Sequence, residues 1–307
     1  MNDQLWLEFK GNAGPGSGKH IVLVSGDEEY RSEEALPMLA KVLSTHHGFD
    51  CTVLFATNPE TGEIDPDEQT NIPGLDALGA ADLMIIFTRF RELPDEQMKH
   101  VVDYVNSGRP IVGLRTATHC FKYTRDTSSP YVKYGSTYER GRLLFEGGFG
   151  RQVMGETWIA HHGRHGVEST RGLINPASKA HPIVNGVTDV WGTTDVYKAY
   201  PTGDSQIVLD GQVLSGMNHG DDPKPDFPTM PVAWIKEYTG DEGKAARVFC
   251  TTMGAATDLL STDLRRLLVN AAYWGMQIEE SIDLSRSVDP VGTYEPTPFG
   301  FGTYIKG

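Results

Sequence analysis

The segment from Arg109 to His119 carries the residues best placed to do chemistry. It reads R-P-I-V-G-L-R-T-A-T-H, a short apolar strand followed at once by a turn that presents Arg115, Thr116 and His119. In open α/β sheets, ligands bind in the crevice beyond the carboxyl ends of the strands. The turn also has the spacing of a nucleophile elbow, but an arginine stands where a serine or cysteine would attack. We therefore predict a site at this turn that lacks the elbow nucleophile.

Charged residues follow two further predicted strands at the same edge of the sheet. They are Asp27, Glu28, Glu29, Tyr30 and Arg31 after the first strand, and Arg89 and Arg91 after the third. Arginines from one strand that face carboxylates from another could orient a polar ligand through bidentate hydrogen bonds. The alternative is an internal network of ion pairs that only fixes the loops. The sequence leaves both interpretations open.

A second constellation is the histidine cluster of residues 161–165, which reads H-H-G-R-H. Histidine can transfer protons near neutral pH or offer a neutral nitrogen to a metal. Glycines at positions 163 and 166 favour a loop over a helix, so the spacing alone does not bring the rings together. No cysteine or aspartate lies beside the cluster, which weakens a metal assignment. We predict no cofactor, with zinc or another divalent metal on His161, His162 and His165 as the alternative.

The elements that must position these residues alternate regularly between strand and helix in the first half of the chain. Helical spacing predicts one helix capped by Ser32 and another that opens at Pro94 and stops at Gly108. Such an order requires right-handed crossovers, and it predicts an α/β protein with a doubly wound, mostly parallel central sheet. Apolar runs place the strands at residues 20–25, 51–56, 81–87 and 110–114.

The second half of the chain is less regular. Residues 121–152 show no periodicity and predict a long functional insertion or lid whose aromatic residues line a pocket. A closing helix is predicted over residues 263–274, with Thr262 as its cap. Strand signals return at residues 172–174, 207–209, 232–235 and 247–252. We expect an extended Gly-rich lead-in over 1–19, one domain over 20–280 and an extended C-terminal tail over 281–307.

The composition excludes several classes of protein. The 307 residues hold 27 Lys and Arg against 41 Asp and Glu, a net charge of -14. Nucleic acid and anionic membranes bind basic surfaces, so we predict neither partner, and no apolar run reaches the ~20 residues of a membrane helix. Three distant cysteines argue against a disulfide framework or a thiolate zinc site. We expect a soluble protein, either cytoplasmic or exported to the periplasm after loss of a signal peptide. The oligomeric state stays open, with a homo-oligomer as one possibility.

Several short motifs occur in a characteristic order between His20 and Met276. They are R-P-I-V-G-L-R-T-A at the turn, the His161-His162 loop, A-H-P-I-V-N-G from Ala180, D-V-Y from Asp195, P-V-A-W from Pro231 and A-R-V-F-C-T-T-M-G from Ala246. This ordered set resembles the ThuA-like (trehalose utilisation) family. There are two departures from its pattern, since Arg115 occupies the elbow where many members have histidine, and Gly254-Ala255 replaces a Gly-His pair.

The resemblance implies a flavodoxin-like three-layer α/β/α sandwich, similar in fold to the class I glutamine amidotransferases. A shared fold does not transfer activity. Glutaminase chemistry needs an elbow cysteine activated by a histidine, whereas this elbow has Arg115 and Cys120 lies five residues beyond it. We therefore predict no glutamine amidotransferase activity.

The resemblance also implies a role in carbohydrate metabolism. We expect an enzyme that acts on a small-molecule carbohydrate, a sugar or 3-keto-sugar, by metal-independent acid-base chemistry through hydrolysis, elimination or isomerisation. A functional link to the sugar oxidoreductase that makes the keto form would follow. A base that removes the proton beside a carbonyl, with an arginine that stabilises the enolate, needs no metal.

Each candidate residue receives a role on this interpretation. The predicted catalytic residues are His119, His162, Arg115 and Glu28. The predicted substrate-binding residues are Asp27, Glu29, Arg31, Arg89, Arg91, Thr116, His161, His165 and Asp195. The alternative is a noncatalytic carbohydrate-binding or accessory protein, in which Trp158, Trp191 and Trp234 could stack on sugar faces.

Overall fold

The computed structural model describes residues 5–137 and 145–307. Within them the α-helices are α1 (Ser32–His47), α2 (Asp95–Asn106) and α3 (Thr262–Gly275). The strands are β1 (Trp6–Phe9), β2 (His20–Gly26), β3 (Asp50–Phe55), β4 (Leu83–Thr88), β5 (Ile111–Leu114), β6 (Ala160–His161), β7 (Thr170–Ile174), β8 (Val190–Gly192), β9 (Tyr197–Lys198), β10 (Gln206–Val213), β11 (Met230–Thr239) and β12 (Ala245–Thr251).

Ten of these strands form one sheet with a parallel centre. Their order is β1-β3-β2-β4-β5-β12-β11-β10-β7-β8. The five strands from β3 to β12 in this order are parallel, and the strands on either side of them pair antiparallel. The predicted α/β class with its parallel central sheet is confirmed. The antiparallel extension forms from the second half of the chain, where strand signals return without helices between them.

Apolar side chains alternate across the central strands and bury both faces of the sheet. In β2, Ile21 and Leu23 pack on the side of α1 and α3, while Val22 and Val24 pack on the side of α2. This two-sided burial explains why the strand is a near-continuous apolar run. The helices on both faces complete the predicted three-layer sandwich. Because β2, β4 and β5 are parallel, the loops that follow them meet at one edge of the sheet.

Both predicted helix caps are off by one residue. Helix α1 begins after Arg31, which has a left-handed backbone with a φ of 62°, and the Ser32 hydroxyl lies 2.8 Å from that of Ser25 instead of capping the helix. Helix α3 is capped by Ser261, whose Oγ accepts a backbone N–H of the first turn at 3.3 Å, and not by Thr262. In each case a neighbouring residue takes the cap position, which a one-residue sequence signal does not resolve.

Two expectations for irregular segments need correction. The lead-in contains β1, which pairs antiparallel with β3, because backbone hydrogen bonds at a sheet edge do not require a strong apolar pattern. In the predicted insertion, Phe121 and Phe149 pack edge to face at 5.3 Å and are at most 1% exposed, so they belong to the core and line no pocket. Residues 138–144 of that insertion lie outside the described residues.

The end of the chain has little regular structure. After a 3₁₀ turn at Glu279–Ser281, the described residues contain no further helix or strand. Over residues 5–137 and 145–307, none of the helices combines the length and the apolar character needed to cross a bilayer.

Candidate functional site

The loop after β2 is fixed by Asp27. Its buried carboxylate accepts hydrogen bonds from the backbone N–H groups of Glu29 and Tyr30 at 2.7 and 2.6 Å, and from Thr116 Oγ1 at 2.5 Å. Burial raises the pKa of Asp27, and these hydrogen bonds oppose that shift. Because Thr116 follows β5, the Asp27 side chain ties two loops together. Both residues therefore position the site rather than line its cavity.

Glu28 neutralises two arginines that follow β4. One of its oxygens pairs with Arg89 and the other with Arg91. Arg91 is fully buried and also donates to the carbonyl oxygens of Arg89 and Pro66 at 2.7 and 2.9 Å. Burial raises the pKa of Glu28 against the opposing effect of the two guanidinium groups. The alternative of an internal ion-pair network thus applies to Glu28 and Arg91, which leaves Arg89 as the arginine at the cavity.

Arg115 lies beneath the site and is completely buried. It begins a 3₁₀ helix, Arg115–His119, with a left-handed φ of 42°. Its guanidinium lies between the rings of Tyr30 and Tyr197, at 4.5 and 3.7 Å from their centroids. It donates to the carbonyl oxygens of Asp195 and Thr252 at 2.8 and 2.7 Å, and to Asp195 Oδ1 at 3.0 Å. The geometry does not support direct binding of an oxyanion by Arg115, which instead holds Asp195.

Asp195 organises two histidines. Its Oδ2 accepts from His161 Nδ1 at 2.7 Å and its Oδ1 from His165 Nδ1 at 3.0 Å. Burial alone would raise the pKa of Asp195, but the Arg115 guanidinium and the two histidines hold it well below its usual range. The carboxylate is therefore ionised and accepts from both rings, as expected for a group that orients a crevice histidine.

The two histidines differ in the number of carboxylates that they contact. His165 uses both ring nitrogens, because its Nε2 also lies 3.2 Å from Glu29 Oε1. These two carboxylate partners raise the pKa of His165 to about 9, so the ring is an imidazolium at neutral pH. Asp195 accepts the Nδ1–H of His161, and in this tautomer the uncharged ring carries its lone pair on Nε2. His161 thus has the tautomer of a general base.

Two predicted site residues lie elsewhere. His162, which follows β6, directs its Nε2 to the carbonyl oxygen of Pro228 at 2.8 Å and packs on Phe227. Its placement does not support the predicted catalytic role. Arg31 is fully buried and donates to Thr297 Oγ1 at 3.1 Å, so it binds the C-terminal tail instead of a ligand.

His119 lines a small cavity together with His161. Its ring lies between Phe90 and Trp158, with centroids 4.8 and 5.7 Å away, and its Nδ1 is 3.0 Å from Thr118 Oγ1. Burial, reinforced by the charges of Arg89 and Arg115, holds the pKa of His119 well below its ordinary value. The ring is therefore neutral at pH 7. The cavity has a volume of about 30 Å³ and is lined by Glu29, Tyr30, Arg89, Phe90, His119, Trp158, His161 and Tyr197.

Larger clefts lie elsewhere on the protein, one of about 370 Å³ beside Arg151 and Tyr200. We place the site at the smaller cavity because it gathers two histidines, a carboxylate and an arginine at the carboxyl edge of the parallel strands. Of the predicted tryptophans, Trp158 lines this cavity, whereas Trp234 is fully buried in the core. Phe90, which the sequence analysis did not single out, follows Arg89 directly, and its left-handed φ of 50° brings it into the cavity wall.

A metal fits this arrangement poorly. His161, His165 and Asp195 each offer one atom within 4.8 Å of the others, whereas His162 of the predicted set does not take part. Both nitrogens of His165 face carboxylates, so neither keeps a free lone pair while those hydrogen bonds are made. The buried Arg115 guanidinium also neutralises Asp195. Hydrogen bonds and charge pairing thus satisfy the cluster without a cation.

The sandwich, the parallel strands and the site at their carboxyl ends define an α/β protein of the ThuA-like fold. Two solved structures of ThuA-like proteins are similar over nearly their whole length. One, from Parabacteroides merdae ATCC 43184, is 15% identical to this chain with a TM-score of 0.52, and the match covers 92% of this chain and 97% of that chain. The other, from Bacteroides uniformis ATCC 8492, is 14% identical with a TM-score of 0.50 and covers 91% and 98%.

The sequence itself specifies the family. The family model described as "ThuA: Trehalose utilisation" matches residues 21–275, and the chain belongs to that family. No curated protein matches the chain. Membership suggests a role related to trehalose utilisation, and the family resemblance found in the sequence is confirmed.

Proposed function

We propose that this protein is an enzyme that moves protons on a sugar or 3-keto-sugar, with His161 as the base. The observation that carries the proposal is the 2.7 Å hydrogen bond between His161 Nδ1 and Asp195 Oδ2 at a cavity lined by His161. A carboxylate that fixes the tautomer of a histidine and stabilises its protonated form is a recurring device of general base catalysis. His161 thus takes the role that the sequence analysis gave to His162.

The other wall residues supply the complementary chemistry. If a 3-keto-sugar binds with the C–H beside its carbonyl facing His161, Nε2 takes that proton and the C–H electron pair moves to the carbonyl oxygen. Arg89, a cation in the cavity wall, stabilises the resulting enolate oxygen. The enolate then recovers a proton on carbon or expels a leaving group, which gives isomerisation or elimination. Neutral His119 lines the cavity with His161 and can exchange the second proton.

The pair His161 and His162 offers a matched test. The two residues are adjacent in sequence, but only His161 contacts Asp195 and lines the cavity. Purified wild type, His161→Gln and His162→Gln are incubated with a panel of disaccharides and their 3-keto forms, with and without a chelator, and products are followed by mass spectrometry. We expect turnover to fall by roughly 10²–10⁴-fold in His161→Gln and to stay within about twofold of wild type in His162→Gln.

The same experiment tests the alternatives. Equal turnover in His161→Gln and wild type would refute the assigned base. Loss of activity with chelator, restored by zinc, would replace the metal-independent mechanism with a metal-assisted one. Saturable binding of one sugar without product from any variant would favour the noncatalytic carbohydrate-binding alternative.

A further inference from the structure

The end of the C-terminal tail crosses the candidate site as an arch over residues 298–302, held at both ends. At its start, the Thr297 N–H donates to Glu34 Oε2 at 2.7 Å and Arg31 Nε donates to Thr297 Oγ1 at 3.1 Å. At its end, Lys306 Nζ lies 2.6 Å from Asp65 Oδ2. Further anchors join Arg31 to Thr303, Tyr304 to Asp67 and Ile64 to Gly307.

The arch itself is held much more weakly than its ends. Among the described residues, the arch makes one backbone hydrogen bond to the body of the protein, from the Gly300 N–H to the Glu29 carbonyl oxygen at 2.7 Å. Gly300 and Gly302 have φ values of 146° and 66°, conformations that other residues rarely adopt. Two fixed ends with a glycine-containing segment between them are suited to local opening, because few contacts must break.

Two phenylalanines of the arch contact residues of the candidate site. Phe299 packs on the rings of Tyr30 and His165, with centroids 5.5 and 5.3 Å away. The Arg89 guanidinium lies 4.9 Å from the ring centroid of Phe301 and 4.7 Å from that of Phe90. Phe301 is nevertheless 57% exposed, so little apolar burial holds it there. The arch therefore covers the arginine that a ligand would need.

The cavity beneath is too small for the proposed substrate. Its volume of about 30 Å³ accommodates one or two water molecules, whereas small-molecule sites usually measure about 300–1,000 Å³. Three of the lining residues, Tyr30, His119 and Tyr197, are at most 3% exposed, so this part of the wall cannot open cheaply. The arch does not itself line the cavity, but through Phe301 it contacts Arg89, a lining residue, and it is weakly held.

We propose that residues 298–302 form a lid that opens to admit the ligand, with Phe301 as the residue that controls access to Arg89 and His119. In the closed state Phe301 covers Arg89. In the open state the guanidinium and the cavity behind it are exposed, and the closed arch then excludes water from the bound ligand. The identity of the ligand as a sugar rests on the proposed function, whereas the opening of the lid does not, because opening requires no ligand.

The first test compares two backbone amides in the wild-type protein. The N–H groups of Gly300 and Thr297 both make hydrogen bonds of 2.7 Å, but only Gly300 belongs to the arch. Hydrogen exchange measured by NMR, corrected for intrinsic rates, should show the Gly300 amide exchanging about tenfold faster than the Thr297 amide. Equal or slower exchange at Gly300 would overturn the lid.

The second test measures access to His119 with diethyl pyrocarbonate, which acylates neutral imidazoles. Phe301→Ala should raise the rate of His119 modification about tenfold relative to exposed His219, while Ile305→Ala, at a residue 76% exposed beside the anchors, should leave it unchanged. An unchanged rate in Phe301→Ala would overturn the role of Phe301. Neither test needs turnover. The lid can therefore be confirmed even if the sugar chemistry is refuted, and the sugar chemistry can be confirmed even if the lid is refuted.

Discussion

Replacement of Asp195 by asparagine should destabilise the fold strongly. Asp195 and Arg115 form an ion pair at 3.0 Å with no exposed side-chain surface on either partner. Asp195→Asn keeps the shape but leaves the guanidinium as a buried, uncompensated cation. Removal of one partner of a buried pair costs ~3–5 kcal/mol, a large part of the ~5–15 kcal/mol that stabilises a typical domain.

The chain offers a matched control for this change. Asp189 pairs with His219 at 2.7 Å, the same distance as between Asp195 and His161. The side chains of Asp189 and His219, however, are 53% and 56% exposed. Urea unfolding followed by circular dichroism should therefore show less than about 1 kcal/mol of change in Asp189→Asn. If Asp195→Asn unfolds with the same free energy as Asp189→Asn, the buried pair does not hold the site together. The double variant Arg115→Met/Asp195→Asn should recover part of the loss, since no lone charge remains.

Three further changes test local features of the structure. The pKa of His165 is raised to about 9, so its protonated ring contributes stability fully below pH ~6.5 and loses that contribution as the pH rises through 9. Between pH 6.5 and 9.5, the free energy of unfolding in urea should therefore decline more in the wild type than in His165→Gln. Glu33 has both carboxylate oxygens buried without a partner, and burial raises its pKa to about 8; wild-type stability should fall by up to ~1.4 kcal/mol per pH unit between pH 4.5 and 8 from this group, a slope that Glu33→Gln should lack. A Cβ at Gly150 would lie 1.9 Å from the Thr118 carbonyl oxygen, so Gly150→Ala should cost ~1–3 kcal/mol in the same assay, whereas Gly203→Ala, with open space around it, should cost less than 1 kcal/mol.

The sequence predicted which residues gather at one edge of the sheet, because parallel strands have a simple signature. Buried runs such as Ile21 to Val24 identify strands, and the residues after them must gather at the carboxyl edge. Asp27, Arg89 and His119 lie there as predicted. The family followed from the order of short motifs, and the family match confirms it.

The roles of individual residues depended on features with no sequence signal. His161 and His162 are equivalent in sequence, and only the pairing of β6 with β9 decides which ring reaches Asp195. Arg115 and Arg89 are both arginines after strands, but Arg115 is fully buried beneath the cavity with a positive φ, which the sequence does not reveal. Contacts of the tail, such as Phe299 with His165, join residues more than a hundred positions apart, and local patterns do not encode such pairings.

Proton exchange in D₂O tests the central claim most directly, because it isolates the proposed base from any later step. A 3-keto-sugar is incubated with the protein, and NMR follows loss of the signal of the proton beside the carbonyl. We expect the wild type and His162→Gln to catalyse the exchange at rates within about twofold of each other, and His161→Gln to be slower by roughly 10²–10⁴-fold. Exchange that continues at the wild-type rate in His161→Gln, or that is lost in His162→Gln alone, would contradict the account.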